Sequence, residues 1–104
     1  MRTRQVALVS CASKKRTKRS KARDLYISDL FEKSLRFAEQ LRPDYIGILS
    51  AKHGLLDLDT EIEPYDMTLV KMSSRQRQEW ANGVLRQLQS RFDLDRDRFI
   101  FLAG

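Results

Sequence analysis

Three short apolar runs, each bounded by charged or turn-forming residues, divide the chain. They are VALVS (residues 6–10), YIGIL (residues 45–49) and FIFL (residues 99–102). Each run is too short for a helix and rich in residues that favour strands, so each predicts a β-strand. Because the runs are apolar throughout, we expect both faces of the sheet to be covered by helices, as in parallel sheets.

Two segments with helical periodicity separate these runs. In SDLFEKSLRFAEQL (residues 28–41), apolar residues recur every three or four positions, and Pro43 stops the pattern. Asp29 is predicted to cap this helix, with Glu32 reaching back to it. In SSRQRQEWANGVLRQLQSRF (residues 73–92), apolar residues share one helical face, and we expect Trp80 beside them to lie in the core.

The order strand, helix, strand, loop, helix, strand predicts one domain spanning residues 1–104. Its class is α/β: a small three-layer domain with a mainly parallel sheet and right-handed crossovers. The third run, in FIFLAG, reaches the last residue of the sequence, which leaves two alternatives. Either the chain is a truncated member of a larger fold, or a second copy covers the last strand in a homodimer.

Positive charge is concentrated near the N-terminus. Residues 1–23 contain nine Lys or Arg and no acid, whereas the remaining residues contain 11 basic and 14 acidic side chains. Seven cations lie within SKKRTKRSKAR (residues 13–23), inside a predicted basic loop at residues 12–24. Such a cluster favours phosphate contacts, since each neutralised phosphate releases a counterion, and the predicted partner is nucleic acid or a nucleotide. The alternative is a solvated surface that only aids solubility.

Composition disfavours several other classes of protein. No apolar stretch reaches the roughly 18–20 residues of a membrane helix, and no apolar signal region follows the basic start, so we expect a cytoplasmic protein without a membrane partner. Cys11 is the single cysteine, so it has no partner for an internal disulfide, and one Cys with one His cannot build a structural zinc site. We therefore predict neither a metal nor a cofactor.

Small and hydroxyl-bearing residues follow the predicted strands, at the edge where open parallel sheets bind ligands. These are Ser10 and Cys11 after the first strand, Ser50 and Ala51 after the second, and Ala103 and Gly104 after the third. The basic loop leaves the first exit, and a turn containing His53 and Gly54 leaves the second. The exits should converge, which predicts a pocket at this edge.

Each residue near the predicted pocket has a functional and a structural interpretation. Ser13, Lys14 and Lys15 can cradle phosphate, although the chain lacks the glycine frame of a P-loop. Cys11 is either a nucleophile activated by the following cations or a packed, inert thiol. His53 is either an acid or base near neutral pH or a hydrogen-bonding turn residue, and Gly54 is foremost a backbone requirement of the turn.

The acidic loop DLDTEIEPYD (residues 57–66) contains five acids and no base. It is either an intramolecular partner of the basic loop or the source of a catalytic carboxylate. Glu63 and Tyr65, held by Pro64, either point back over the pocket or form a rigid loop.

Two segments resemble those of a known family. LVSCASKK (residues 8–15) and ILSAKHGLLDLDTEIEPYDMTL (residues 48–69) are similar to segments of the YaaA-like peroxide-stress proteins, and nearest to their small uncharacterised bacterial and phage relatives. FLAG also resembles a family strand, so the likeness spans nearly the whole chain. The matching positions are Ser10, Ser13, Lys14 and Lys15 in the first motif, and Ser50, Gly54, Leu55, Leu56, Ile62, Pro64 and Tyr65 in the second.

The resemblance implies an α/β protein with a basic cleft, associated with DNA and with its protection during oxidative stress. It also implies a fold similar to base-processing, glycosylase-like domains. Two residues depart from the family pattern. His53 stands where YaaA-like proteins tend to have an aromatic residue, and Asp66 stands where they tend to have arginine.

Three hypotheses follow for the function. The first is a nucleic-acid-associated domain that binds a base or nucleotide at the strand ends, in DNA protection or base processing. The second is an N-glycosidic or base-exchange enzyme with Glu63 or His53 as catalytic group. The third is a non-catalytic, self-associating interaction module. In the first, phosphates would lie on Lys14, Lys15 and Arg16, the base near His53 and Tyr65, and Glu63 would be the polar or acid/base group.

Overall fold

The computed structural model describes residues 2–102 of the chain. Its elements are β1 (Gln5–Ser10), β2 (Ser20–Lys21), α1 (Ala22–Leu25), α2 (Asp29–Gln40), β3 (Tyr45–Ser50), β4 (Gly54–Asp57), β5 (Glu61–Ile62), α3 (Ser74–Arg91) and β6 (Arg98–Leu102). The three predicted strands and the two predicted helices are thus confirmed. Ala103 and Gly104, the predicted third exit, lie outside the described residues.

A four-stranded sheet in the order β4-β3-β1-β6 forms the centre of the domain. β1 runs parallel to both β3 and β6, which confirms the α/β class and the mainly parallel sheet. β4 is an antiparallel addition that pairs with β3 through a tight turn at residues 51–53. The sequence predicts only a loop after β3; the structure instead folds Gly54–Asp57 back as an edge strand.

Two apolar cores lie on opposite faces of the sheet and establish the three layers. Ala7 and Val9 face the core that contains Phe31 of α2. Val6 and Leu8 face the core that includes residues of α3 and β4. All four of these β1 side chains are fully buried, and burying a Val or Leu stabilises a fold by roughly 1.5–3 kcal/mol. The apolar character of this run therefore reflects burial on both faces.

The helix starts depend on local side-chain caps. Ser28 Oγ accepts a hydrogen bond from the Phe31 amide at 3.1 Å, so Ser28 is the N-cap of α2. The prediction that Asp29 caps this helix is wrong. Asp29 and Glu32 lie in the first turn, where carboxylates interact favourably with the helix dipole.

The predicted basic loop contains regular secondary structure. Lys15 forms an isolated antiparallel bridge with Tyr26, β2 pairs with β5, and α1 begins at Ala22. The acidic loop is its intramolecular partner. Arg19 Nη1 lies 3.5 Å from Glu63 Oε1, and Arg23 Nε lies 3.3 Å from Asp59 Oδ1. We refer to residues 13–23 below as the basic segment.

Two features are absent from the part of the chain that the structure describes. None of the helices within residues 2–102 combines the length and the apolar character needed to cross a bilayer. Within the same residues, no three His, Cys, Asp or Glu side chains gather in an arrangement that could hold a metal ion.

Candidate functional site

The order of the parallel strands reverses at β1. In sequence the parallel strands are β1, β3 and β6, but in the sheet β1 lies between the other two. The chain therefore leaves β1 toward one neighbour and later returns to the other side of it. In α/β sheets, ligands bind outside the carboxyl ends of the strands at such a reversal. The topology thus points to the ends of β1 and β6.

A groove of about 440 Å³ opens at this position. Cys11 and several hydroxyl-bearing side chains line it, together with apolar residues of α2, β6 and the loop before α3. Its volume lies in the range of small-molecule sites, and a hydroxyl can both donate and accept hydrogen bonds. We call it the hydroxyl groove; its polar residues are Ser10, Cys11, Ser13, Ser28, Ser34 and Thr68.

A chain of three hydroxyl groups lies near the end of β3. Tyr65 Oη is 2.9 Å from Ser50 Oγ and 2.6 Å from Tyr26 Oη. Ser50 Oγ also accepts a hydrogen bond from the His53 amide at 3.1 Å, and the Ser50 carbonyl accepts one from Trp80 Nε1 at 2.8 Å. Ser50 and Tyr26 are fully buried. We call Ser50, Tyr65 and Tyr26 the hydroxyl chain.

The ammonium group of Lys15 lies over this chain. Its Nζ is 4.3 Å from the centroid of the Tyr65 ring and 5.8 Å from that of Tyr26, both within cation–π range. It also donates to the Ser13 carbonyl at 3.3 Å. Partial burial lowers the pKa of Lys15, and nearby Cys11 and Asp66 oppose that shift.

His53 contacts the same tyrosine from the turn between β3 and β4. Its ring meets the Tyr65 ring edge-on, with centroids 5.8 Å apart, while the residue itself is exposed. Partial burial of the imidazole and the neighbouring Lys52 charge lower the pKa of His53. The neutral ring is therefore the favoured form near neutral pH.

Gly54 has a strict conformational role. Its φ is +70°, the left-handed region that a three-residue hairpin turn requires at this position. A β-carbon at Gly54 would also collide with Gln87 Oε1. That oxygen accepts the Leu55 amide at 2.8 Å, so Gln87 of α3 fixes the start of β4.

The predicted site residues fall into three groups. Ser10, Cys11 and Ser13 line the hydroxyl groove, whereas Lys15, Ser50, His53 and Tyr65 cluster around the hydroxyl chain. Glu63 belongs to neither, since it is exposed and pairs with Arg19. The remaining four are Lys14 and Arg16, which are exposed, Pro64, which is half-buried before Tyr65, and Gly54, which begins β4.

Sequence reasoning missed several residues of this region. Tyr26 resembles any core aromatic residue, and nothing in the sequence links it to Tyr65, 39 positions away. Gln87 lies on the polar part of a helix that is rich in glutamine and arginine, which hides its contact with β4. Thr68 alone had a signal, because it lies inside the second segment of the family resemblance.

Comparison with known proteins identifies the family of this chain. No curated protein matches the chain significantly, and neither does any solved structure. The resemblance to YaaA-like proteins stays a prediction, because none of these comparisons links the chain to them. One family model covers residues 6–104, nearly the whole sequence. The chain therefore belongs to DUF6884, a family of unknown function.

Proposed function

We propose that this chain is a cytoplasmic, nucleic-acid-associated domain that binds a base or nucleotide at the carboxyl ends of its strands. The observation that carries this proposal is a set of unpaired cations on the basic segment. Within residues 2–102, Arg19 and Arg23 form ion pairs, but four exposed cations of the segment form none. These four are Lys14, Arg16, Lys18 and Lys21.

The backbone that carries these cations is already fixed. The Arg16 amide donates to the Leu25 carbonyl at 2.8 Å, and the Ile27 amide donates to the Lys14 carbonyl at 3.0 Å. Further along, β2 pairs with β5. An anchored basic segment supports phosphate binding because less backbone entropy is lost when the ligand binds.

The hydroxyl groove is the place that we assign to the base or nucleotide. The basic segment begins at its rim, since Ser13 lines the groove and Lys14 follows. Leu30, which is about half exposed, offers apolar surface for a base, and the surrounding hydroxyls offer hydrogen bonds to its edge or to a sugar. This placement differs from stacking on Tyr65, because the Lys15 ammonium already occupies one face of that ring.

A charge-matched pair of variants tests the proposal. Fluorescence anisotropy should follow short single- and double-stranded oligonucleotides across a range of salt concentrations. The variant K14Q/R16Q/K18Q/K21Q should lose most binding, and its salt slope should fall by about 0.7–0.9 for each phosphate contact removed. The control K33Q/R36Q/R42Q/R86Q removes the same charge from exposed cations that form no ion pair within residues 2–102, and it should bind like the parent.

Two results would contradict the proposal. If the parent binds no oligonucleotide or nucleotide at low salt, the basic segment is only a solvated surface. If both variants lose affinity equally, binding follows net charge and needs no defined surface. Thermal melts of all three proteins establish that each is folded before the comparison is made.

Self-association is a second candidate function, favoured by uncovered apolar surface at one edge of the sheet. Within residues 2–102, β6 has a neighbour on one side only, and its Phe101 is 61% exposed. Leu30 and Phe37 of α2 are about half exposed as well. A second copy is the partner we propose, because the same strand edge on two copies is self-complementary about a two-fold axis. Sedimentation at two concentrations should show a dimer; a monomer at both would reject it.

A further inference from the structure

We infer that Lys15 and the hydroxyl chain form a subsite for a single phosphate-type oxyanion. This inference deepens the proposed function and depends on it only for the identity of the molecule that carries the phosphate. The subsite is distinct from the exposed cations of the basic segment, because its donors come from half-buried or buried side chains on separate parts of the fold.

The hydroxyl chain has more protons than internal hydrogen bonds. Ser50, Tyr65 and Tyr26 have three hydroxyl protons, but only two hydrogen bonds join their oxygens. The one other bond to these oxygens, within residues 2–102, comes from the His53 amide, which is itself a donor. Whichever way the hydroxyls turn, one proton therefore has no acceptor among the described residues.

The burial of the three side chains decides which of them carries the spare proton. If Ser50 and Tyr26 both donate to Tyr65, the spare proton belongs to Tyr65, which is only partly buried. In the other two arrangements it belongs to Ser50 or Tyr26, whose side chains are fully buried. A buried donor without an acceptor costs about 1–3 kcal/mol, which favours the arrangement that leaves the spare proton on Tyr65.

Lys15 adds a positive charge beside the hydroxyl chain. The Lys15 side chain is partly buried, and within residues 2–102 no carboxylate lies at ion-pair distance from it, although the charge of Asp66 acts on it from farther away. Its contacts are the Tyr65 ring and the Ser13 carbonyl, and neither is an anion. A partly desolvated charge that forms no ion pair attracts an anion more strongly than a fully hydrated one.

These two properties select the ligand chemistry. The site offers a cation and at least one hydroxyl proton, and both are hydrogen-bond donors. A phosphate oxyanion is an acceptor with negative charge and complements both. A water molecule could accept the spare proton, but it would leave the Lys15 charge unbalanced. The shared chemistry is thus a phosphate group, whether it belongs to a free nucleotide or to the end of a strand.

Titration with small ligands tests this subsite directly. Inorganic phosphate, a nucleoside 5′-monophosphate and the matching nucleoside are added to the full chain, and amide chemical shifts are followed by NMR. The phosphate and the monophosphate should bind at Lys15, and the nucleoside should bind more weakly. K15Q should weaken phosphate binding about tenfold or more, because a hydrogen bond to a charged group is lost.

Two further variants make the test specific. K14Q removes the neighbouring exposed cation and should change inorganic phosphate affinity less than about twofold. Y65F removes the central hydroxyl of the chain but keeps the ring beneath Lys15, and it should weaken phosphate binding severalfold. Oligonucleotides with a 5′-phosphate or a 5′-hydroxyl separate a strand end from a free nucleotide as the source of the phosphate.

The outcomes separate this inference from the proposed function. If oligonucleotides bind through the basic segment while K15Q leaves phosphate affinity unchanged, the subsite is rejected and the proposed function stands. If phosphate binds through Lys15 while oligonucleotides and nucleotides do not bind better than phosphate alone, the subsite stands and the proposed function is rejected. No phosphate binding by the folded parent chain overturns the inference outright.

Discussion

Each end of the central sheet has a cation over a tyrosine ring, but only the cluster at the amino end includes a carboxylate. At the amino end, Arg91 lies over the Tyr45 ring, 4.7 Å from its centroid, and its Nη1 is 3.0 Å from Asp57 Oδ1. The Tyr45 hydroxyl donates to the same carboxylate. At the carboxyl end, Lys15 lies over Tyr65, but the tyrosine hydroxyl meets only other hydroxyls. A carboxylate is thus the difference between the two clusters.

A second carboxylate pairs with a cation at the amino end, at the opposite edge of the sheet. Asp97, just before β6, accepts hydrogen bonds from the Arg4 and Asp93 amides at 2.9 and 2.8 Å. Its Oδ2 also lies 2.8 Å from Arg4 Nη2. Charge and hydrogen bonding are therefore satisfied internally at the amino end. At the carboxyl end, one hydroxyl proton has no acceptor and the Lys15 ammonium has no ion-pair partner among residues 2–102.

The largest effect should come from Gly54→Ala, which disturbs the hairpin that joins the two ends. Ala at φ +70° costs about 1 kcal/mol or more, and displacing Gln87 from the Leu55 amide costs about 1 kcal/mol more. We expect the free energy of unfolding, measured in urea, to fall by about 2 kcal/mol. Gly83→Ala, which meets only a distant Arg86 side-chain atom, is the matched control and should not destabilise the chain. Equal stability of the two variants would contradict the assigned role of Gly54.

The same hairpin shows where sequence reasoning ends. Strands β1, β3 and β6 and helices α2 and α3 follow from local periodicity, so they could be predicted. β4 could not, because four residues after a tight turn carry no periodic signal and the turn depends on Gln87 of a distant helix. Ser28 and Asp29 are both good capping residues, and only the geometry distinguishes them.

The candidate site divides in the same way. Residues that follow strands, such as Ser10, Cys11 and Ser50, could be placed at the carboxyl edge because chain order determines where strands end. Tyr26 could not, since its contact with Tyr65 depends on how two loops pack together. The pairing of Glu63 with Arg19 follows from the antiparallel pairing of β2 with β5. Strands of two residues are too short to be predicted from the sequence pattern.

Low pH should remove the stabilising contribution of Asp97 at the amino end. Hydrogen bonds from the Arg4 and Asp93 amides lower the pKa of Asp97 from 3.8 to about 2. A depressed pKa means that the Asp97 charge stabilises the fold above about pH 4, and that this contribution is lost as the pH falls toward 2. Asp97→Asn should therefore lower the melting temperature at neutral pH, with a difference that shrinks steadily below pH 4.

Asp95→Asn is the matched control for this acid dependence. Asp95 is an exposed carboxylate two residues away, and its replacement removes the same charge. We expect its melting curves to follow those of the parent from pH 7 to pH 2. If Asp97→Asn melts like the parent at neutral pH, the carboxylate does not close this end of the sheet.

Removing one tyrosine hydroxyl should lower the free energy of unfolding more at the carboxyl end than at the amino end. Tyr65→Phe deprives Ser50 and Tyr26 of their shared partner, and both are fully buried, so we expect a loss of roughly 1–2 kcal/mol. Tyr45→Phe leaves Asp57 paired with Arg91 and open to water, so the loss should be below about 1 kcal/mol. Urea unfolding of both variants measures the difference. The reverse order would show that the hydroxyl chain does not support the end of β3.

The smallest effect on stability, and the most specific, should come from Asp57→Asn. Burial and then the hydrogen bond to Asp57 raise the pKa of Tyr45 to about 12, so its contribution to stability is full below pH 10 and lost as the pH rises through 12. The Asp57–Arg91 pair is half exposed, so its loss should cost less than about 1 kcal/mol at neutral pH.

The Tyr45 pKa should nevertheless fall toward 10 in Asp57→Asn, without reaching it because burial remains. Phenolate absorbance measures this titration, with Tyr45→Phe identifying the Tyr45 signal. Tyr26 and Tyr65 have raised pKa values caused foremost by burial, and they should titrate as before. An unchanged Tyr45 titration, or a shift in the other two tyrosines, would show that the carboxylate is not what distinguishes the two ends.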